Sequence, residues 1–288
     1  MPIRIPRIIA AAGFGLVTGL IVVLRFDFPI AWALVGGVVA GLPMYLSERR
    51  RAARAYLPLA RNHRDWLTVN VPFYNRLTAD GKRRFEARVR RFLDEHRFEG
   101  VADQPVTDAL RVAVAAGEAT LLHARPDFRI SNRHTVLFYS DAFDEGYDDT
   151  PGGQFDGMAH QQAAVLFTAP SVERAWPSED GHNVVLHELA HLLDFDNGMA
   201  EGSPSLVAPE SHDAWVALVR KEIQKVKVGR SILRSYAGTN EAEFFACAPE
   251  FFFERPEPLS LRHPELFDAM RALYNLDPRE PDAPLALV

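Results

Sequence analysis

The chain has 288 residues, enough for one large domain or two small ones, and a net charge of −6 that gives no sign of nucleic-acid binding. Hydrophobic residues make up 48% of it, ample for a core, and the single cysteine, Cys247, excludes an intramolecular disulfide. Neither an internal repeat nor a low-complexity tract interrupts it.

The first fifty residues stand apart. Ile8 to Leu24 carries no charged residue, and neither does Pro29 to Leu46. Each run reaches the short end of the roughly 17–25 residues that span a bilayer. Arg25-Phe26-Asp27-Phe28 between them has room only for a tight hairpin. The pattern predicts a two-helix transmembrane hairpin over residues 1–48, with lipid contacting residues 8–46. A basic juxtamembrane helix follows over 49–65, with anionic headgroups as its neighbours. Arg4 and Arg7 lie before the first run and Arg49, Arg50, Arg51 and Arg54 after the second. Arginine on both outer flanks places both ends, and the rest of the chain, on the cytoplasmic side. Gly15-x-x-x-Gly19 and Gly37-x-x-x-Gly41 suit close helix packing, although ordinary membrane-helix composition accounts for them equally well. A signal peptide is the main competitor for the first run, but no small-residue cleavage site follows it. A single signal-anchor with an interfacial second helix would put the remainder outside.

Residues 66–280 read as one α+β domain, mainly helical with a small sheet. Trp66 to Leu77 looks like a docking segment. Thr78-Ala-Asp-Gly-Lys opens an amphipathic helix, Lys82 to His96, with Phe85, Val89, Phe92 and Leu93 on one face. Val106 to His123 reads as a small buried helix. His134 to Phe143 and Ala163 to Phe167 read as strands around an Asp- and Gly-rich loop. The second strand lies shortly before the motif described next, where it could pair with an extended peptide or serve as an ordinary core strand. Ala214 to Val226 is an amphipathic helix. Thr239 or Asn240 caps the next one, which Pro249 is expected to kink. Leu259 to Tyr274 forms a last short helix pair, and 281–288 is a Pro-rich tail.

His187-Glu188-Leu189-Ala190-His191 is the most informative stretch. An H-E-x-x-H arises by chance only ~0.02 times in a chain of this composition, so its presence calls for an explanation. From Val184 to Phe195 every residue outside the stripe His187, Glu188, His191 and Asp194 is apolar. A helix apolar nearly all round is buried, and burying two imidazoles and two carboxylates without a partner is costly. Histidines four apart on a helix can hold one zinc ion, and the intervening glutamate can take a proton from the attacking water. The alternative is a satisfied core histidine pair with an exposed glutamate. Ser178 or Asp180 is the expected N-cap, and Asn197-Gly198 the stop.

Catalytic zinc takes three protein ligands and keeps one open position. Asp194 lies on the same face but tends to overshoot the metal, which favours a supporting role such as accepting a histidine N–H. Glu243, Cys247 and Glu250 share one face of the later helix, making Glu243 an oxygen ligand and Glu250 its support. Glu241, His160, His182 and His212 are the competing ligands.

Three stretches resemble the Mlc titration factor A family of bacterial zinc peptidases: Val184 to Gly198, Tyr236-Ala-Gly-Thr-Asn-Glu-Ala-Glu-Phe-Phe-Ala246 and Glu250-Phe-Phe-Phe253. With the weaker lead-in Phe73-Tyr-Asn-Arg-Leu-Thr78, the likeness covers roughly Leu57 to Asp277. That family is similar at its site to the anthrax lethal factor catalytic domain, where a tyrosine again precedes a glutamate by seven residues. The resemblance implies a zincin-like metallopeptidase domain holding one Zn2+ on His187, His191 and Glu243. It further implies Glu188 as general base, Tyr236 as donor to the tetrahedral oxyanion, and aminopeptidase-like action on a peptide or protein substrate. A transcriptional repressor of glucose-uptake genes is the implied regulatory partner. Combined with the arginine asymmetry, it implies the bacterial inner membrane, with the catalytic domain facing the cytoplasm. The chain departs from the pattern in its two apolar amino-terminal runs and in Pro249. A zinc-stabilised scaffold that sequesters a regulator, with hydrolysis incidental, is the competing function.

Overall fold

The computed structural model describes residues 58–130, 135–140, 164–195 and 202–283, together with Leu42, Pro43 and Leu46. Two compact units divide the chain, Met1–Leu57 and Pro58–Val288. The transmembrane hairpin expected over 1–48 lies outside the described residues but for those three positions. Among the described residues no helix is long and apolar enough to cross a membrane.

The helix expected over 49–65 differs where it is described. Pro58 to Ala60 is non-helical, and the first helix, α1, is Arg61–Asn70. Pro58 supplies no N–H and its ring fixes φ, which suits it to the approach of a helix and not to its interior. The docking segment proves to be the end of α1 followed by a short helix, α2 (Pro72–Arg76), with Leu67, Val71, Phe73 and Tyr74 buried. Helix α3 (Ala79–Glu95) starts as its sequence promised: the Thr78 hydroxyl accepts the Gly81 N–H. Its buried face is Phe85, Val89 and Phe92.

The sheet has one strand more than the sequence suggested. β1 (Arg97–Gly100), β2 (Thr135–Tyr139) and β3 (Ala164–Thr168) lie in that order and are parallel throughout. β1 escaped notice because four residues with two exposed charges carry no alternation worth reading. Helix α4 (Asp108–Leu121) connects β1 to β2, as a parallel crossover requires. Helix α5 (Ala169–Arg174) leaves β3 directly.

The site-bearing part is a pair of buried helices, α6 (Val184–Asp194) and α8 (Glu241–Glu254). Between them in sequence come α7 (His212–Lys227) and a 3-10 turn, Ser235–Gly238; α9 (Pro256–Arg262) and α10 (Pro264–Tyr274) follow. Helix α4 approaches α6 at Gly117. A Cβ there would lie 2.6 Å from Val185 Cγ1 and 2.7 Å from Leu189 Cδ1, closer than side chains come. Phe252, Phe253, Phe267 and Tyr274 pack α8 against α10 with ring centroids 5.1–5.7 Å apart. The start of the Pro-rich tail is tied down. Asp282 accepts the N–H and hydroxyl of Thr78 and lies 2.9 Å from His123 Nε2, which ties it to the start of α3 and the end of α4.

Candidate metal centre

Helix α6 is buried along almost all of its length, as its composition required. Its cap is Asn183, not Ser178 or Asp180. The Asn183 Oδ1 accepts the N–H groups of Val185 and Leu186, each at 3.1 Å, while its amide donates to Ala175 O and Glu254 Oε1. Ser178 and Asp180 instead bond each other, and Asp180 takes the His182 N–H, building the turn before the helix. Asn183 wins because only its buried position reaches both the first turn and α8.

The imidazoles of His187 and His191 stand one turn apart, ring centroids 4.9 Å apart and nearly perpendicular. Both turn Nε2 toward one oxygen of α8: Glu243 Oε2 lies 3.2 Å from His187 Nε2 and 3.3 Å from His191 Nε2. Asn240 caps α8 by accepting the Glu243 N–H, one of the two caps its sequence offered. Three ligand atoms around a tetrahedral ion with bonds of about 2.1 Å sit roughly 3.4 Å from one another. The observed separations fit that triangle. Glu243 Oε2 is also buried without a hydrogen-bond partner, the mark of an oxygen shaped for something other than protein. Although burial pushes its carboxyl upward, His187 and His191 beside it hold it well below the usual carboxylate range, so it is ionised.

Glu250 comes to the other side of His187. Its Oε1 lies 2.9 Å from His187 Nδ1, and its Oε2 accepts the Asn183 N–H at 2.7 Å. A carboxylate on Nδ1 holds the proton there and leaves the Nε2 lone pair free for a metal. This happens despite Pro249. Helix α8 runs unbroken from Glu241 to Glu254, so the missing proline N–H costs the bond to Phe245 O without displacing Glu250 from its face. Cys247 is buried, with Sγ 3.9 Å from His187 Nδ1. His187, Cys247 and Glu250 form a second trio of potential ligands, but Arg234 Nη2 lies 2.6 Å from Glu250 Oε1 and puts a fixed positive charge where a cation would go.

Glu188 is buried on the same helix. Burial pushes its carboxyl pKa up, against the pull of the two imidazoles, and one of its oxygens lacks a hydrogen-bond partner. Tyr236, from the 3-10 turn, brings its ring within 6.0 Å of the His187 ring while 37% of its surface stays exposed. Burial, then the charge of Glu243, pushes its phenol up to about 12, so it keeps its proton at neutral pH. Asp194, at the end of α6, accepts the Gly202 N–H at 2.8 Å and so ties the helix to the segment that follows it.

The competing ligands fall elsewhere. His182 Nε2 lies 3.1 Å from Arg234 Nη1, and His212 Nδ1 lies 3.0 Å from Ser203 Oγ. Glu241 pairs with Arg220 at 3.8 Å on the side of α8 facing α7, beside a cavity of about 540 Å³. His160 lies outside the described residues. Sequence reasoning missed Asn183 and Arg234. The spacing of Arg234 two residues before Tyr236 was visible, but nothing in the sequence said that its guanidinium turns inward.

A sequence model of the glucose-regulated metallo-peptidase M90 family matches residues 45–275. An uncharacterized protein of Synechocystis sp. is 29% identical over 274 residues, covering 86% of this chain and 97% of its own length. The Mlc titration factor A of Salmonella arizonae is 30% identical over 240 residues, 75% of this chain and 93% of its own. That of Salmonella choleraesuis is 29% identical over 239 residues, 75% and 88%.

Proposed function

The chain belongs to the glucose-regulated metallo-peptidase M90 family, and from that premise we propose that it hydrolyses peptide bonds with one zinc ion held by His187, His191 and Glu243. The observation that carries this reading is the convergence of two Nε2 atoms and one carboxylate oxygen at 3.2 and 3.3 Å. When bound, the ion would polarise the scissile carbonyl and make water more acidic. The remaining steps belong to the chain's own side chains. Glu188, a buried carboxylate whose proton affinity is raised, takes a proton from the attacking water as its oxygen bonds to the carbonyl carbon. It returns that proton to the amine nitrogen as the C–N bond breaks. Tyr236 keeps its O–H at neutral pH and donates it to the oxygen that becomes negative in between.

Resemblance to the family supports aminopeptidase-like action. The two uncharged runs within 8–46, flanked by arginines, support a tether in the bacterial inner membrane with the catalytic unit facing the cytoplasm. Relatives such as those of Salmonella carry the name titration factor, which favours a second reading: binding of a regulatory protein, with hydrolysis incidental.

One pair of variants separates the readings. Glu188→Gln is expected to keep one zinc per chain by plasma emission and to lose cleavage of a fluorescence-quenched peptide pool. Glu243→Ala is expected to lose the zinc. Full hydrolysis by Glu188→Gln sinks the mechanism, equal zinc in Glu243→Ala sinks the ligand set, and full complementation of a deletion strain by Glu188→Gln favours the binding role.

A further inference from the structure

We infer that Arg234 is a positioning residue that joins the ligand His187 to the phenol of Tyr236, so that one guanidinium sets both metal affinity and the placement of the oxyanion donor. The inference deepens the reading above and rests on it.

Three contacts leave one planar group. Arg234 Nη2 donates to Glu250 Oε1 at 2.6 Å, the same oxygen that lies 2.9 Å from His187 Nδ1. Its Nη1 donates to His182 Nε2 at 3.1 Å. Its Cζ lies 5.4 Å from the centre of the Tyr236 ring. The side chain is 23% exposed while Glu250 is wholly buried, so the pair bridges the interior and the surface of the site.

Each contact has a consequence. A wholly buried carboxylate is costly unless charge and hydrogen bonds balance it. Glu250 receives the Asn183 N–H on one oxygen and converges with Arg234 and His187 on the other. With Arg234 in place the position of Glu250 is held from three directions, and the carboxylate so fixed holds the His187 ring with Nε2 toward Glu243. Arg234 Nη2 also lies 2.9 Å from His187 Nδ1, so the guanidinium meets the imidazole as well as its carboxylate partner. On its other side the same guanidinium packs against Tyr236, only two residues along the chain. Leu233 and Ala237 are buried on either side of the pair, which limits how far the segment can shift. A cation over an aromatic face is attracted to it, which biases the ring toward one orientation. A lysine could place a charge near Glu250 but lacks the planar fork that reaches Glu250, His182 and the ring together.

The test uses the full chain and the variants Arg234→Met, Arg234→Lys, Tyr236→Phe and the double variant Arg234→Lys/Tyr236→Phe, with His187→Ala as the control for the site. Zinc affinity is read by competition with chromophoric chelators and needs no substrate. Arg234→Met is expected to bind zinc about 10–100-fold more weakly, as loss of a group supporting a ligand does. Arg234→Lys, which keeps the charge, is expected to restore most of that affinity while its kcat on the peptide pool falls as far as that of Tyr236→Phe, with KM little changed. Adding Arg234→Lys to Tyr236→Phe is then expected to lower kcat no further. Wild-type zinc affinity in Arg234→Met, wild-type kcat in Arg234→Lys, or multiplying losses in the double variant overturns the inference. Zinc bound equally by wild type and His187→Ala overturns the metal site itself, and the Arg234 inference with it.

Discussion

In the proposed mechanism Tyr236 and Glu188 are two ionisable groups of one site with opposite tasks. Both are pushed up by burial, but from different starting points. A carboxyl that begins near the acid end becomes a better proton acceptor at neutral pH, whereas a phenol pushed up to about 12 keeps its proton. On the proposed mechanism Tyr236→Phe removes one donor to the developing oxyanion and leaves the ring packed on Arg234. Loss of one such donor typically costs about 10²–10³ in kcat. The expected outcome is a fall of that size in steady-state kinetics, with KM and bound zinc unchanged; a fall confined to KM would assign Tyr236 to binding alone. At this scale the sequence was most informative. Two histidines and a glutamate at helical spacing, in an apolar run, state their own geometry because a helix repeats every 3.6 residues. Arg234 was illegible for the opposite reason: it sits in a 3-10 turn, where no periodicity says which way a side chain points.

At the scale of elements, α6 and α8 act as one unit because polar groups at the start of α6 are satisfied by α8. Asn183 caps α6 through its carbonyl oxygen, gives its backbone N–H to Glu250 and its amide to Glu254, while Gly181 donates its N–H to Glu254 as well. Asn183→Ala loses the cap, worth about 1 kcal/mol. It also leaves the Ala175 carbonyl and the Glu254 carboxyl short of a donor, adding about 1–3 kcal/mol. Denaturant unfolding is expected to show a lower midpoint with an unchanged slope; an unaltered midpoint would mean that water replaces Asn183 at no cost. The sequence placed the opening of α3 at Thr78 and offered Asn240 as one of two caps for α8, where a Thr or Asn stands directly before its helix. It misjudged α6 because three capping residues crowd its approach, and the one that caps is selected by contacts with a helix about sixty residues away. Pro249 is the complementary case. Local rules predict an interruption, but the flanking Phe244, Phe245, Phe251 and Phe252 are buried, and their packing holds the helix through the missing bond.

At the scale of the whole unit, Asp282 joins the end of the described chain to α3 and α4. Although burial pushes its carboxyl upward, hydrogen bonds from His123 and Thr78 outweigh it and hold the pKa below the ordinary carboxylate value. A carboxyl depressed in the folded state stabilises the fold at every pH above its unfolded value of 3.8, and that contribution disappears as pH falls through the lower folded value. Asp282→Asn is therefore expected to lower the melting temperature at neutral pH and to leave a shallower decline toward acid. Thermal scans between pH 3 and 7 check this, and parallel curves for the two proteins would show that Asp282 has no part in the acid limb. A proline-rich end invites reading as a free tail, since composition alone does not show that a single aspartate docks.

What the amino-acid sequence determined by itself is the chemistry: a buried helix with two imidazoles and a carboxylate on one stripe, a later helix with acidic residues on one face, and the apolar periodicity that makes α3 and α4. These follow from local repeats, which are properties of neighbours in the chain. Tertiary structure alone decided which residue caps α6, that β1 joins the sheet, and that Arg234 turns in to Glu250. Each of those depends on the close approach of segments far apart in sequence, where burial makes an unpaired polar group costly and so selects the one partner within reach.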